Sequence, residues 1–341
     1  MCILKANAYG HGLIRIATYL EQLGAQYFGV AYLEEGIMLR EAGVKTPILV
    51  MGGIIGDQIP LFIQYDLTIT ASSVDKLILI EECASQLKKQ ARVHLKIDTG
   101  MERIGIHYYS AQSLIEASFD CKQTIIEGIF SHLANADEAN ESYSQLQIVR
   151  FEEVLSLYPS EEKRPKFIHL ANSAGIVRHS SARYNMVRAG IMLYGILPSY
   201  EDAGQFDIDL RPALSWTTRV VYFKVVKPDH PVSYGSTWST NKLTRVITLP
   251  VGYGDGYFRS MSHKAEIMLN GKRYPVVGNI CMDQMMVDIG WDSGYNGDEV
   301  YLIGGEGKDR INVEELANWA GTIPYEILTN INTRVPRMYV H

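Results

Sequence analysis

Short apolar runs alternate with amphipathic segments along the first part of the chain, up to about residue 200. The apolar runs predict strands near 2–5, 27–31, 47–51, 67–70, 92–97, 124–130, 166–169 and 184–188. The amphipathic segments predict helices near 13–23, 33–43, 57–64, 73–88, 110–117, 143–157, 173–177 and 191–194. Eight strands separated by helices favour an α/β fold, a (β/α)8 TIM-type barrel. A doubly wound open sheet produces the same alternation, so it stays an alternative on this pattern.

The pattern changes beyond an acidic, loop-like segment at 200–210. Runs rich in β-branched and aromatic residues predict strands at 216–226, 243–249, 265–269, 274–277, 285–289 and 299–303. Asn270-Gly271 between two of these runs predicts a hairpin, and Asn312 is placed to cap a short helix near 313–320. We therefore predict two domains, an α/β barrel over 1–204 and a mostly β domain over 205–341.

Composition narrows the classes of protein that fit. The chain has 341 residues, 47% hydrophobic and 21% charged, with a formal net charge of −6 and no long basic run. These values are typical of a globular protein and argue against nucleic acid or an anionic membrane as partner. No apolar run reaches the length of a membrane span. The four cysteines are far apart and form no CxxC pair, so we expect no metal site, no disulfide framework and a cytoplasmic location.

Candidate chemistry lies at the predicted strand ends of the barrel. Lys5 ends the first strand and enters a glycine-punctuated turn, where partial burial would lower its pKa and favour imine formation. Ser173 follows the seventh strand, and Arg188, Gly190 and Ile191 follow the eighth, where such barrels bind phosphate. From position alone, a lysine such as Lys5 more often points into solvent, but the two glycines and the tyrosine that follow it suit the close approach of a flat ligand. Ser173 could instead cap a helix, and Arg188 could pair with a carboxylate.

Three further cationic or titratable side chains, Lys96, Arg103 and His132, follow the fifth and sixth strands and would share this rim. In the second domain, Tyr234 and Tyr253 lie in glycine-containing turns, but 21 tyrosines make any one of them a core or hairpin residue by default. Cys281 has no neighbouring histidine to activate it as a nucleophile.

Eight segments of the chain resemble, in order, those of bacterial alanine racemase, a pyridoxal-phosphate enzyme. They are KANAYGHG at 5–12, DTGMERIG at 98–105, HLANS at 169–173, VRAGIMLYG at 187–195, VSYG at 232–235, GYGDG at 252–256, ICMDQ at 280–284 and RVPR at 334–337. The resemblance extends from residue 1 to about 340. It implies a barrel followed by a β domain and a head-to-tail homodimer, in which each active site combines the barrel of one subunit with the β domain of the other.

The resemblance also implies roles for individual residues. Lys5 would hold pyridoxal 5′-phosphate as an imine and serve as one base of a two-base racemisation of L- and D-alanine, with Tyr234 of the other subunit as the second. The resemblance further implies that the cofactor phosphate contacts Tyr9, Ser173, Gly190 and Ile191, that Arg188 contacts the ring nitrogen, and that His132 packs against the ring. Arg103 and Met282 would contact the substrate carboxylate, and Tyr253 would narrow the entrance. Lys96 matches a lysine that is carbamylated in some members of the family. The implied product, D-alanine, serves peptidoglycan synthesis.

Two departures from the family pattern stand out. Thr333 occupies a position where some members have a tyrosine that reaches the phosphate, so that contact is not expected here. The chain also begins almost on its lysine motif, whereas the family has a helix and a strand upstream. We therefore expect that an N-terminal part is missing, or that this is the racemase part of a longer protein, since some bacteria fuse the enzyme behind a cell-wall peptide ligase.

Three other functions share features with this pattern. A barrel-type pyridoxal-phosphate decarboxylase would place a carboxylate at the ring nitrogen and a Gly-rich loop at the phosphate, which disagrees with Arg188 and Ser173. A racemase of another small amino acid, such as serine, fits the same residues. A non-catalytic carrier of the cofactor would end after the barrel, whereas this chain continues to Tyr234.

Overall fold

The computed structural model describes residues 1–198, 206, 208–305 and 309–340. The chain folds into two compact units, the first formed by Met1–Ala8 and Gly12–Arg211, the second by Tyr9–His11 and Pro212–His341. The domain boundary predicted between residues 204 and 205 lies outside the described residues, as does most of the acidic segment at 200–210.

The first unit is built on a curled sheet of parallel strands. The strands are β1 Cys2–Ile3, β2 Phe28–Val30, β3 Ile48–Val50, β4 Thr68–Ala71, β5 Ala91–Asp98, β6 Ile106–His107, β7 Thr124–Phe130 and β8 Phe167–His169. Their order is β1-β2-β3-β4-β5-β7-β8, with the short β6 paired to β5. Strands such as β3 and β4 are buried along their whole length, as expected of a parallel sheet covered on both faces.

The sheet closes on itself, which excludes the open-sheet alternative. Ile3 N donates to Ala189 O at 2.9 Å, and Ala189 N donates to Met1 O at 3.1 Å. The strand predicted at 184–188 is wrong, because within the described residues only Ala189 pairs with β1, through an isolated bridge to Cys2. Tyr184 has a left-handed φ of 43°, and Arg188 N donates instead to Ala171 O, so no ladder forms along this segment.

Helices connect the strands close to the predicted positions. They are α1 Leu13–Gln22, α2 Leu33–Glu41, α3 Ile59–Gln64, α4 Val74–Leu87, α5 Ala111–Phe119, α6 Ser142–Ser156 and α7 Ser173–Arg178. The segment predicted at 191–194 is a 3-10 helix, Ile191–Tyr194. The first unit is thus the predicted (β/α)8 barrel, and its strand C-termini form one rim.

The second unit contains an antiparallel sheet of seven strands. They are β9 Trp216–Arg219, β10 Tyr222–Val226, β13 Thr244–Leu249, β14 Glu266–Leu269, β15 Lys272–Val277, β16 Met285–Gly290 and β17 Glu299–Ile303, in the order β10-β13-β16-β15-β14-β17-β9. A separate pair is formed by β11 Pro231–Val232 and β12 Trp238–Ser239. The predicted hairpin is confirmed, since Leu269 pairs with Lys272 around Asn270 and Gly271, whose φ values are 51° and 73°.

Two predictions for this unit need correction. The run at 216–226 is not one strand, because it breaks at Val220–Val221 and contributes β9 and β10 to opposite edges of the sheet. Asn312 does precede α8 Val313–Ala320, but its side chain makes no capping hydrogen bond within the described residues. A further helix, α9 Pro324–Asn330, was not predicted. Of the helices in the described ranges, none is both long enough and apolar enough to cross a bilayer.

Candidate active site

Lys5 follows β1 directly and opens a left-handed turn. Four successive non-glycine residues have left-handed φ values, 53° at Ala6, 56° at Asn7, 53° at Ala8 and 51° at Tyr9. Such a conformation costs roughly 1–2 kcal/mol per residue, so the surroundings must hold it in place. Asn7 contributes locally, because its Oδ1 accepts a hydrogen bond from Leu13 N at 2.8 Å.

Glu35 supplies the second restraint on the lysine turn. One carboxylate oxygen accepts from Ala6 N at 2.6 Å, and the other accepts from Ala31 N at 2.7 Å, at the start of α2. The side chain therefore ties the turn after β1 to the loop after β2. Burial lowers the pKa of Lys5, and the positive charge of Arg103 lowers it further, while Glu35 opposes both. A lysine with a lowered pKa presents more of the neutral, nucleophilic amine.

Arg188 is almost completely buried, with 3% of its surface exposed. Its Nη1 donates to His169 Nδ1 at 2.9 Å and to His169 O at 3.0 Å. Its Nη2 donates to Ser131 O at 2.8 Å, Leu170 O at 2.9 Å and His132 Nδ1 at 3.1 Å. Within the described part of the chain no carboxylate pairs with Arg188, and nothing accepts a hydrogen bond from its Nε.

The charge of Arg188 survives this burial and affects its neighbours. Burial lowers the pKa of Arg188 to about 9, which is still above neutrality. Burial also lowers the pKa of His132 well below its usual range, and the charge of Arg188 adds to the effect. His132 is therefore a neutral imidazole at pH 7. Because its Nδ1 accepts from a guanidinium, its proton lies on Nε2.

Lys96 lies on β5 with 4% of its surface exposed. Its Nζ donates to Ile97 O at 2.7 Å and lies 5.2 Å from the centroid of the Phe130 ring. Burial and the charge of Arg188 lower the pKa of Lys96 to about 7, against an opposing effect of Asp98. A substantial fraction of this buried amine is consequently neutral at physiological pH.

Ser173 and Gly190 converge where β8 and the closing segment end. Asn172 caps α7 by accepting from Gly175 N at 2.9 Å, so Ser173 is not the cap but the first residue of the helix. Its buried Oγ accepts from Gly190 N at 2.9 Å. Ile191 begins the following 3-10 helix and is buried. A hydroxyl and a backbone amide of this kind can both donate to a phosphate.

Arg103 is exposed, whereas Tyr9 is buried. Arg103 is exposed at the end of a loop that folds around Asp98, whose Oδ2 accepts from Arg103 N at 3.2 Å. Tyr9 belongs to the second unit, where its ring lies 6.1 Å from that of Tyr325. Burial raises the pKa of Tyr9 to about 12.

In the second unit, Tyr234 stands on a tightly held turn. Its carbonyl accepts from Asn279 Nδ2 at 2.7 Å, and the preceding Ser233 has a left-handed φ of 70°. Gly278 permits this close approach, because a Cβ there would lie 2.7 Å from Val232 O. The side chain of Tyr234 is nevertheless 73% exposed.

Tyr253 and Met282 come together on neighbouring turns of the same unit. Tyr253 N donates to Cys281 O at 3.0 Å, and both Tyr253 and Met282 have exposed side chains. Arg334 secures these turns by donating to Asp255 at 2.7 Å and to Asp283 at 2.8 Å. The acidic residues of the GYGDG and ICMDQ segments thus have a structural role.

The barrel rim suits a small anionic aromatic ligand. It carries the cations Lys5, Lys96, Arg103 and Arg188, and its most buried arginine keeps Nε–H as a donor for a ring acceptor. These donors fit the phosphate and ring nitrogen of pyridoxal 5′-phosphate, and Lys5 fits its covalent attachment. In the described residues no group of three or more metal-ligating side chains comes together.

Sequence reasoning missed several residues that shape this site. Glu35, His94 and Asn279 received no role, and His169 was noted only as part of a segment. His169 carried a signal, since it opens HLANS next to the predicted phosphate loop. Glu35 and Asn279 contact residues that are 29 and 45 positions away, which no local pattern indicates.

Comparisons with known proteins agree with this geometry. The family model of the alanine racemase N-terminal domain matches residues 1–198, and that of the C-terminal domain matches residues 213–339. An alanine racemase of Carboxydothermus hydrogenoformans is 45% identical over all of this chain and 92% of the relative, and one of Geobacter sulfurreducens is 40% identical over all of this chain and 90% of the relative.

The solved structures give the same result. The alanine racemase of Streptomyces coelicolor A3(2) superposes with a TM-score of 0.95 at 33% identity and covers 100% of this chain and 91% of that one. The alanine racemase of Clostridium difficile 630 superposes with a TM-score of 0.89 at 37% identity and covers 98% of this chain and 87% of that one. This chain therefore belongs to the alanine racemase family.

Proposed function

We propose that this chain interconverts L- and D-alanine with pyridoxal 5′-phosphate as cofactor, and that it works as a homodimer. The observation that carries the proposal is the combination on one rim of Lys5, whose pKa is lowered, and Arg188, whose Nε–H is not used by the fold. Family membership supports the choice of alanine.

The barrel residues would bind and orient the cofactor. Lys5 would attach it covalently, while Ser173 Oγ, which accepts from the Gly190 amide at 2.9 Å, would donate its own proton to the phosphate beside the backbone of Gly190 and Ile191. Once bound, the cofactor supplies a conjugated ring that accepts the negative charge developing at the substrate Cα. Arg188 would donate Nε–H to the ring nitrogen and keep its own proton, because a guanidinium is hardly ever deprotonated. Such an arginine moderates the electron demand of the ring and thereby disfavours transamination.

Racemisation requires a proton to leave one face of Cα and another to arrive on the opposite face. Lys5 Nζ would exchange the proton on one face, which its lowered pKa favours at neutral pH. Tyr234 Oη of a second copy of the chain would exchange the proton on the other. Arg103 and the second copy's Met282 would contact the substrate carboxylate, and its Tyr253 would narrow the entrance. Tyr9 would complete the phosphate contacts.

Lys96 fits a carbamylated lysine. Its neutral amine would attack carbon dioxide to form a carbamate with release of one proton, which its pKa of about 7 permits. The product would replace a buried cation by an anion beside Arg188 and Arg103, both of which repel the unmodified ammonium.

The surface of the second unit supports association with a second copy. The edge strand β10 exposes Tyr222, Phe223 and Val225 to 55%, 37% and 50%. An open groove of about 820 Å³ lies beside Tyr234. Exposed apolar residues on a strand edge usually mark a covered interface. The barrel rim of another subunit is the occupant that we propose. The four free thiols favour the cytoplasm.

The test is to purify the chain with pyridoxal 5′-phosphate and record its visible absorption, then reduce it with borohydride and map the labelled peptide. We expect a yellow protein, a label on Lys5, and formation of D-alanine from L-alanine faster than of D-serine from L-serine. A label on another lysine, release of carbon dioxide from an amino acid, or a bound cofactor without racemisation would contradict the proposal.

A further inference from the structure

A chain of hydrogen-bonded polar side chains, all buried except a partly buried glutamate at its end, crosses the barrel from its rim to its floor. At the rim, Arg188 Nη1 donates to His169 Nδ1 at 2.9 Å. His169 Nε2 lies 2.9 Å from His94 Nδ1, and His94 Nε2 lies 3.4 Å from Tyr27 Oη. Tyr27 Oη then donates to Glu127 Oε2 at 3.3 Å. We call these five residues the buried chain; His94 and His169 have no exposed surface.

The donor at one end dictates the direction of every hydrogen bond. A guanidinium has no acceptor, so His169 must receive the bond of Arg188 on an unprotonated Nδ1 and carry its proton on Nε2. That proton is donated to His94 Nδ1, which leaves the proton of His94 on Nε2 for the oxygen of Tyr27. Burial lowers the pKa of His94 to about 3 and that of His169 well below its usual range, so neither ring gains a second proton at pH 7.

The other end of the chain is anchored at the barrel floor. Glu127 is held by Arg92, whose Nη1 donates to its Oε1 at 2.6 Å, and Arg92 is half exposed. Since Tyr27 gives its single proton to Glu127, Thr68 Oγ1 at 2.7 Å donates to Tyr27. The ring nitrogens of His94 and His169 and the hydroxyl of Tyr27 thus all have partners, which is the condition under which such a network rigidifies its members.

We propose that Tyr27 and Glu127 are positioning residues for Arg188, and that they act on the ring-nitrogen contact from the opposite end of the barrel. The hydrogen bonds along the chain fix the two histidine rings, and the rings fix the Nη atoms of Arg188. The Nε–H of Arg188 is thereby directed towards the barrel rim. Neither residue touches the ligand site. The part of this inference that concerns the cofactor rests on the proposed function, whereas the tautomers and the orientation of Arg188 do not.

The experiment uses dimeric protein carrying 15N-histidine and 15N-arginine, studied by NMR without substrate. In the wild type we expect protons on Nε2 of both His94 and His169. In Tyr27→Phe, the Nε2 resonance of His94 should shift upfield as it loses its acceptor, and the Arg188 side-chain resonances should shift as well. With cofactor bound, the visible band should also move, and kcat/KM should fall roughly five- to tenfold, the loss of about one hydrogen bond.

Tyr158→Phe is the matched control, because it removes a buried barrel hydroxyl that has no partner among the described residues. This variant should shift neither the side-chain resonances of Arg188 nor the visible absorption band. Glu127→Gln should produce smaller shifts of the same kind, and it remains informative if Tyr27→Phe does not fold. A proton on Nδ1 of His169 in the wild type, or a change at His94 that leaves both Arg188 and the band unmoved, would overturn the proposal. The NMR result stands independently of whether the chain racemises alanine.

Discussion

The two units present their candidate residues in opposite ways. Arg188 of the barrel is 3% exposed and is held by five hydrogen bonds, whereas the side chain of Tyr234 in the β unit is 73% exposed, and the bond from Asn279 reaches its backbone carbonyl. The barrel half of the site is therefore preorganised when one chain folds. Under the proposed function, Tyr234 of the β unit would act only against the barrel of another copy of the chain.

This difference separates structural from functional effects of mutation. Burying a guanidinium is costly, and its hydrogen bonds offset that cost, so a change at Arg188 alters both the fold and the chemistry. A change at Tyr234 removes a hydroxyl that the described structure does not use.

Lys5→Ala should abolish racemisation, with a loss greater than about 10⁴-fold, because both the covalent attachment and one base disappear. The visible band of the bound cofactor should disappear with it. Racemase assays and absorbance spectra are the measurements, with Lys163→Ala, a change at an exposed barrel lysine, as the control. Retention of the band by Lys5→Ala would assign the attachment to another residue.

Tyr234→Phe should lower racemisation in both directions by about 10²–10⁴-fold, because each direction needs both faces. The cofactor spectrum should be preserved, and solvent-deuterium exchange at Cα of the enantiomer served by Lys5 should survive better than racemisation. Tyr295→Phe, at a half-exposed tyrosine of the same unit, should leave both rates unchanged. Near-wild-type racemisation by Tyr234→Phe would remove this residue from the mechanism.

Arg188→Gln should lower the free energy of unfolding by roughly 2–5 kcal/mol, since buried carbonyls and histidines lose their donor. Tyr234→Phe should change the same quantity by no more than about 0.5 kcal/mol. Urea unfolding of the protein without cofactor measures both. Equal stability losses in the two variants would refute the contrast between a buried and an exposed half.

Carbamylation of Lys96 should increase as the pH rises through about 7, because the neutral amine is the form that reacts and its fraction grows above the pKa of about 7. The measurement is 13C NMR of protein equilibrated with 13C-bicarbonate, over a pH series. Lys96→Met should eliminate the carbamate signal. A signal that persists in this variant would assign the modification elsewhere.

Ala6→Gly should stabilise the protein by up to about 1 kcal/mol, because glycine adopts the left-handed φ of 53° without the Cβ penalty. Ala117→Gly, inside the right-handed α5, should destabilise it by about 1 kcal/mol. Thermal unfolding compares the two. A loss of stability in both variants would show that the turn after Lys5 is not strained.

Much of the fold follows from patterns that the sequence shows locally. The strand and helix alternation predicted the barrel, and Asn270-Gly271 predicted a hairpin of the β unit, because period and turn chemistry are encoded by neighbouring residues. The strand expected at 184–188 failed because its backbone bonds to Ala171 rather than to a strand. Alanine disfavours left-handed backbone, so no propensity could predict the turn at 6–9; distant Glu35 helps to hold it.

In the candidate site, too, the features that local sequence patterns predict differ from those that depend on contacts between distant residues. Lys5 and Ser173 follow strands and could be placed on one rim from topology alone, whereas Arg188 ends a segment that was wrongly predicted to be the eighth strand. The buried chain could not, because His94 and His169 are 75 positions apart and each resembles an ordinary core residue. The catalytic and binding roles of the site residues stay predictions.

The most direct test that each active site takes Lys5 from one subunit and Tyr234 from the other is to mix two inactive variants, Lys5→Ala and Tyr234→Phe, under conditions that exchange subunits. In a head-to-tail dimer, each mixed dimer has one site with both defects and one site with neither. Equal mixing makes half of the dimers mixed, so activity should return to about a quarter of the wild-type value. If one chain supplied both bases, every site would keep a defect, and the mixture would remain as inactive as its components.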